Sequence, residues 1–366
     1  MIKTNKNRII ICVCTIALSI IGVIFVYSAS RHSALNTYGD SFFYLKKQII
    51  GVVIGIVGMF ITSKINYRVY KKFAWIFYII GLVLLLLVFV PGLGKSSYGA
   101  TRWIGIGGIT IQPSEIAKFC LIIFLATYLS KVENINSIKK LLFVFLIGGL
   151  YLICIMLEPN MSITICVGLT LLFMLFIGGL RIKTFVMLAI PIVIAGVVLV
   201  AVEPYRLSRI VAFINPWENP LQEGYQLIQS LYAIGSGGMF GVGLFNSRQA
   251  QLFLPFAESD FIFSIIAEEI GFLGCILVVS LFIILITTII KVGLKASNKF
   301  ASFLCCGIGA ILAIQVILNI AVVTGSIPPT GLPLPLISAG STSLFVFMSA
   351  IGIVLNVDRQ SRKSQI

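Results

Sequence analysis

Acidic side chains are scarce. Only 12 of the 366 residues are Asp or Glu, against 27 Lys and Arg, and charged residues of both signs make up 11% of the chain. A soluble domain carries about a quarter, so an ordinary water-exposed surface is excluded. There is one histidine, His32, too few for a histidine metal cluster. The eight cysteines (12, 14, 120, 154, 166, 275, 305 and 306) all lie in apolar runs, with neither zinc-ligand spacing nor an exposed disulfide framework. They are read as small packing residues. The glycines of GSGGMFGVG (235–243) are not followed by Lys-Ser/Thr, so there is no Walker A loop and no support for a nucleotide-driven pump. No soluble basic surface is visible to carry nucleic acid.

What the chain has instead is hydrocarbon: 59% of residues are hydrophobic. Apolar runs of about 20 residues recur from end to end and predict transmembrane helices. Ten are expected, at 9–28, 46–63, 73–91, 113–130, 141–157, 160–180, 184–202, 260–290, 300–324 and 339–356. The expected fold is an all-α integral membrane protein, one polytopic domain over 1–366 with about ten spans. The fifth and sixth spans are parted only by Glu158-Pro159-Asn160, and the eighth is long enough to tilt or project. The start, MIKTNKNR, resembles the n-region of a signal peptide. The apolar stretch from Ile9 to Val26 exceeds the usual h-region of about 7–15 residues, so a retained helix is expected.

Basic residues orient the chain. With the N-terminus inside, 18 of the 27 fall in inner segments, eight outside, and Lys118 within a span. Both termini are therefore expected in the cytoplasm, and the +15 net charge is mostly this bias, with some attraction to anionic lipid. Two outer segments stand out, 92–112 and the large loop 203–259 between spans seven and eight. The second holds Pro204, Pro216, Pro220, Pro255 and a glycine-rich centre. Within it GYQLIQSLYAIG is expected to form an interfacial helix with Tyr225, Ile228, Leu231 and Tyr232 toward lipid.

Four of the 12 acids crowd into LPFAESDFIFSIIAEE, residues 254–269. Ser259 or Asp260 is placed to cap the eighth span. Asp260 also stands where a carboxylate at a helix start could take a proton from a substrate hydroxyl; both roles stay open. Glu268 and Glu269 lie about 12–14 Å deeper. Glu268 is expected to line a shared cavity or serve structure, and Glu269 to contact another helix. In QPSEIAK (112–118) Glu115 and Lys118 fall on one helix face and can pair; such a pair is not reliably stabilising when buried, which points to a polar cavity. In YRLSRIVAFINPW (205–217) Arg206 and Arg209 either snorkel to headgroups or bind phosphate oxygens, which arginine suits. Trp103 reads as an interfacial anchor. Pro328, Pro329, Pro333 and Pro335 break the path between the last two spans and suggest a cavity wall.

Taken in order, VYSAS (26–30), GATRWIGIGGITIQPSEIAK (99–118), YRLSRIVAFINPW, GYQLIQSLYAIGSGGMFGVGL (224–244), LPFAESDFIFSIIAEEIGFLG (254–274) and TGLPLPLISAGSTS (330–343) resemble the SEDS family of peptidoglycan polymerases. The wording is closer to the FtsW/SpoVE branch than to RodA. The resemblance implies polymerisation of lipid II on the outer face of the bacterial cytoplasmic membrane. It puts the essential aspartate at Asp260, the buried ion pair at Glu115 and Lys118, and a sensitive tryptophan at Trp103. It also implies a divalent cation, Mg2+ or Mn2+, and a class B penicillin-binding protein as crosslinking partner. Departures are ESD (258–260) for the usual HTD, PNMSI (159–163) for PDLGT, and SAGSTS (338–343) for SYGGSS. Asn160 thus carries no catalytic role, while Glu258 adds a carboxylate that would raise the pKa of its neighbour. Two rivals accompany this expectation: a flippase for lipid II, which midplane charges such as Glu115 and Lys118 would suit, and an inactive scaffold.

Overall fold

A computed structural model describes residues 6–97, 100–106, 109–188, 190 and 204–363. Helices dominate it: α1 (Lys6–Tyr38), α2 (Phe43–Lys64), α3 (Tyr67–Lys72), α4 (Ala74–Leu87), α5 (Pro113–Leu129), α6 (Ile138–Leu157), α7 (Met161–Ile177), α8 (Pro204–Ile214), α9 (Tyr225–Gly237), α10 (Ile262–Leu294), α11 (Lys299–Val323) and α12 (Ser341–Lys363). Among the described residues six helices are long and apolar enough to cross a membrane, with α4 and α7 shorter. Nine of the ten expected spans coincide with helices. For the seventh, residues 182–188 are helical, and most of the rest of 184–202 lies outside the described residues.

Exposure separates the helices that face lipid from those that form the core. Of the 22 residues of α2 only Gln48, Gly51, Gly55, Gly58 and Met59 are buried. That buried line meets α12: a Cβ at Gly55 would strike Met348, and one at Gly58 would strike Ser349 and Phe345. Small residues let two backbones approach where hydrophobic burial offers little drive. By contrast α5 is buried all round except at Ile116 and Tyr128. It packs on α4, α7, α11 and α12 and is the hub of the bundle. The first and last helices meet at one end, where Asp358 accepts Arg8 (3.4 Å) and Asn7 (3.3 Å). The start of α1 and the end of α12 therefore lie together.

At the opposite end the segment 92–112 is not loop alone. It folds into an antiparallel sheet, β1 (Gly94–Ser97), β2 (Ala100–Ile106) and β3 (Ile109–Ile111), in the order β1-β2-β3. Trp103 stands opposite Lys95, and Ile104 opposite Ile111. β3 runs directly into Gln112 and Pro113, so the sheet sits on the N-terminal end of the hub helix. Proline at the first turn costs α5 nothing, because that N–H has no helical partner.

α10 is the expected eighth span, but it is broken rather than merely long. Gly271 has φ 65° and ψ −167°, a conformation essentially confined to glycine. The break frees carbonyls and N–H groups, and the glycine-rich segment after α9 satisfies them. Val242 N donates to Glu268 O (2.9 Å) and Gly243 N to Glu269 O (3.1 Å), while Phe272 N and Leu273 N donate to Gly238 O and Met239 O. A Cβ at Gly241 would collide with Glu269 O. Gly237 and Gly241 therefore serve close backbone approach to α10.

Candidate active site

Asp260 lies in the turn before α10, half-buried. It does not cap the helix: the N-cap is Phe261 and no side chain bonds there, so neither Ser259 nor Asp260 has that role. Ser259 Oγ instead donates to Asp260 Oδ1 (3.0 Å). The backbone of 258–260 is pinned by the proline-rich segment 328–339: Ala339 N donates to Glu258 O (2.9 Å), and Ser338 Oγ to Ser259 O (2.6 Å). Asn319 Nδ2 on α11 donates both to Asp260 O (2.8 Å) and to Leu332 O (2.6 Å). Gly331, at φ 65°, faces the carboxylate; a Cβ there would sit 3.1 Å from Asp260 Oδ2. The irregular segment expected from its prolines is thus a wall beside Asp260.

Burial pushes the Asp260 carboxyl up, against the Ser259 hydrogen bond and the charges of Arg209 and Arg102. Arg209 lies on α8 and donates to Pro329 O (3.2 Å). Arg206 lies one turn earlier on α8, and its side chain falls outside the described residues. Arg102 lies on β2, next to the half-buried Trp103, and donates to the carbonyls of Glu158 (3.3 Å) and Pro159 in the α6–α7 turn. Glu258 is near enough for the Asp260 charge to raise its pKa, though burial raises it more. The donor set beside Asp260 is therefore two carboxylates and two guanidinium groups. Among the described residues no group of three or more His, Cys, Asp or Glu could hold a metal.

The other expected residues are sealed. Lys118 Nζ bonds Glu115 Oε2 (2.9 Å) and Gln315 Oε1 (2.7 Å), with both charged side chains about 1% exposed. The Lys118 ammonium also lies 4.6 Å from the Phe347 ring centroid. Where a polar cavity is expected, the gap lined by Lys118 among the described residues has no room for a water. Glu115 and Lys118 are not among the groups whose charges act on Asp260. They reach it through structure: Gln315 Nε2 donates to Pro333 O (2.9 Å), and Asn319 follows four residues on. Glu268 is fully engaged with the loop that precedes α10, taking Ser247 Oγ, Arg248 N (2.9 Å) and Gln249 N (3.4 Å). It does border a cavity of about 690 Å³, but that cavity is walled by Leu231, Tyr232, Val242 and Arg248, not by Asp260. Glu269 contacts another helix as expected, accepting from Ser28 of α1.

Two smaller expectations also resolve. α9 exists, but Ile228 is buried, and of the four residues expected toward lipid only Tyr232 is exposed. Asn160 caps α7, its Oδ1 accepting from Ile163 N (3.3 Å), so amide chemistry suffices there. Sequence reasoning missed Arg102, Gln315, Asn319 and Ser338 as parts of the site. Gln315 and Asn319 had a signal: they are the only amides in α11 apart from its cap and stand four apart, on one face.

A helical membrane bundle with a broken span, a proline-built wall and an arginine-flanked acid at one end defines a polytopic membrane protein with a single-faced polar site. The chain belongs to the FtsW/RodA/SpoVE family, whose model, described as cell cycle protein, matches residues 8–363. It is 42% identical over 364 residues to the stage V sporulation protein E of Bacillus subtilis (strain 168), covering 98% of this chain and 99% of that one. It is 36% identical to the probable peptidoglycan glycosyltransferase FtsW of Geobacter sp. (strain M18), with 99% of each covered. Among solved structures, a chain from one titled for the structural coordination of polymerization and crosslinking by a peptidoglycan synthase complex superposes with a TM-score of 0.80. It has 26% identity, with 96% and 97% covered. The rod shape determining protein RodA of Thermus thermophilus superposes at 0.72 with 24% identity and 96% of each chain covered, a likeness of fold alone.

Proposed function

We propose that the protein is a peptidoglycan glycosyltransferase that polymerises lipid II into β-1,4 glycan strands, with Asp260 as general base. The observation that carries this is the placement of Asp260: half-open, backbone-pinned by two walls, and reached by the charges of Arg102 and Arg209. The acceptor's N-acetylglucosamine 4-hydroxyl gives its proton to Asp260 as its oxygen attacks the donor's anomeric carbon. The bond from that carbon to the pyrophosphate breaks, its electron pair leaves with undecaprenyl pyrophosphate, and the configuration inverts. A positioned base contributes about 10²–10⁴-fold. Charge growing on the leaving pyrophosphate calls for preorganised cations, and Arg209, Arg102 and Arg206 on the adjoining helix suit it. Trp103, beside Arg102, offers a flat face to a sugar or isoprenyl chain. Glu258 holds a second carboxyl next to the base, and the Asp260 charge helps keep that second carboxyl protonated.

Two carboxylates fall short of a resident metal centre. A Mg2+ or Mn2+ ion enters this reading as counter-ion of the substrate pyrophosphate, and no step above runs through it. The Lys/Arg bias supports a site facing outside the cytoplasmic membrane, where a class B penicillin-binding protein would crosslink the strands; relatives within a peptidoglycan synthase complex support such a partner. A flippase is not favoured, because the charged pair that would line a transbilayer path is closed off. Purified protein given labelled lipid II in detergent should yield glycan chains, and Asp260→Asn protein of normal abundance should not. Wild-type rates from that variant would remove Asp260 from its role.

A further inference from the structure

The α6–α7 turn carries a group that this reaction leaves unused. Glu158 is fully buried, and neither of its carboxylate oxygens has a hydrogen-bond partner. An unpaired buried anion is costly, and burial pushes this carboxyl up to about 8, with Arg102 pulling the other way. The ionisable groups that face it are Arg102 from β2 and Cys154 from the last turn of α6. The Arg102 guanidinium is fastened over the turn by the carbonyls of Glu158 and Pro159, and its charge also reaches Asp260. One cation therefore stands between two carboxyls, one sealed and one half-open.

We infer that Glu158 is a positioning residue for the reaction at Asp260: while neutral it leaves the Arg102 charge to Asp260 and the substrate pyrophosphate, and once ionised it draws that charge away. The inference rests on the reaction proposed above. Only the Glu158 O–H bond breaks: its electron pair stays on the carboxylate, the proton passes to water, and a Glu158–Arg102 ion pair forms at the expense of the site. A merely space-filling side chain here would need no ionisable group, and a Gln would satisfy the same volume without changing charge.

The test is the pH profile of lipid II polymerisation from pH 6 to 9.5, each protein scaled to its own maximum. Wild type is expected to lose activity above about pH 8, approaching tenfold per pH unit where a single ionisation controls the rate. Glu158→Gln keeps the shape but cannot ionise, so its alkaline loss should vanish. An alkaline limb unchanged in Glu158→Gln overturns the inference. Should that variant fail to accumulate, wild-type protein still decides: its affinity for undecaprenyl pyrophosphate should fall several-fold between pH 7 and 9.5, and constant affinity overturns the inference. Absence of glycan chains from wild type at every pH would sink the polymerase reading, while the binding arm would still judge Glu158.

Discussion

The acidic stretch 254–269 divides into halves with opposite fates. Glu268 and Glu269 are both about 1% exposed; a loop bonds both oxygens of Glu268, while Glu269 accepts from Ser28 of α1 and from Ser247 N through Oε1 and leaves Oε2 without a hydrogen-bond partner. Asp260, eight residues earlier, is half-buried, has one side-chain donor of its own, Ser259, and lies within reach of two arginines. Both halves began as a puzzle of carboxylates near hydrocarbon. The difference shows that donors decide: an acid given three hydrogen bonds is architecture, while one left partly open beside cations can exchange a proton. The break at Gly271 supplies the donors for the deeper pair, because it lets residues 237–249 fold back onto α10.

The largest expected effect lies on the open half. Asp260→Asn preserves shape and removes the proton acceptor, so lipid II polymerisation should drop about 10²–10⁴-fold with little change in thermal stability. Because burial raises the Asp260 pKa and the base must be ionised, the wild-type rate should fall as pH drops through a midpoint above the ordinary value of about 3.9. An acid limb at or below that value would contradict the burial of this carboxyl.

The sealed half should respond in the opposite way. Glu268→Ala strands Ser247 Oγ and the N–H groups of Arg248 and Gln249, at a cost of about 1–3 kcal/mol for each buried group left unpaired. The folded fraction in detergent should fall, and surviving protein should keep most of its turnover. If Glu268→Ala instead retained stability and lost turnover, the division between the halves would fail. Gly271→Ala tests the same device through the backbone. A Cβ there meets Gly241 N and Met239, and φ 65° is strained for alanine, so faster proteolysis within 238–249 is expected.

These contrasts also show what was legible in the sequence. Span lengths, the Asp260 motif and the Glu115–Lys118 pair follow from hydropathy and helical spacing, which are local. Span seven aside, each expected span coincides with a helix where an apolar run puts it. The break at Gly271 was not legible, since a glycine within an apolar run does not announce which distant loop will complete it. Nor was the β1–β3 sheet, because GKSS and ITI are too short to signal pairing partners. Arg102 joined the site only because that sheet rests on the α6–α7 turn, a tertiary contact. Lys118 was misjudged for the converse reason: its partner Gln315 lies 197 residues away, so a pair expected to line a cavity is in fact packed shut.

The smallest expected effect sits on the wall between the halves. Ser338 Oγ accepts from Leu334 N (2.8 Å) and donates to Ser259 O (2.6 Å), so it ties the proline-rich segment to the residue preceding Asp260. Ser338→Ala removes both bonds at about 1 kcal/mol of stability. Asn319 still holds Asp260 O and Leu332 O on the far side, so the base shifts without being released. Turnover should then fall several-fold with its acid limb in place, because the pKa of Asp260 is set by burial, the Ser259 hydroxyl and the arginines rather than by Ser338. A displaced acid limb in Ser338→Ala would mean that this wall sets the chemistry of the open half as well as its position.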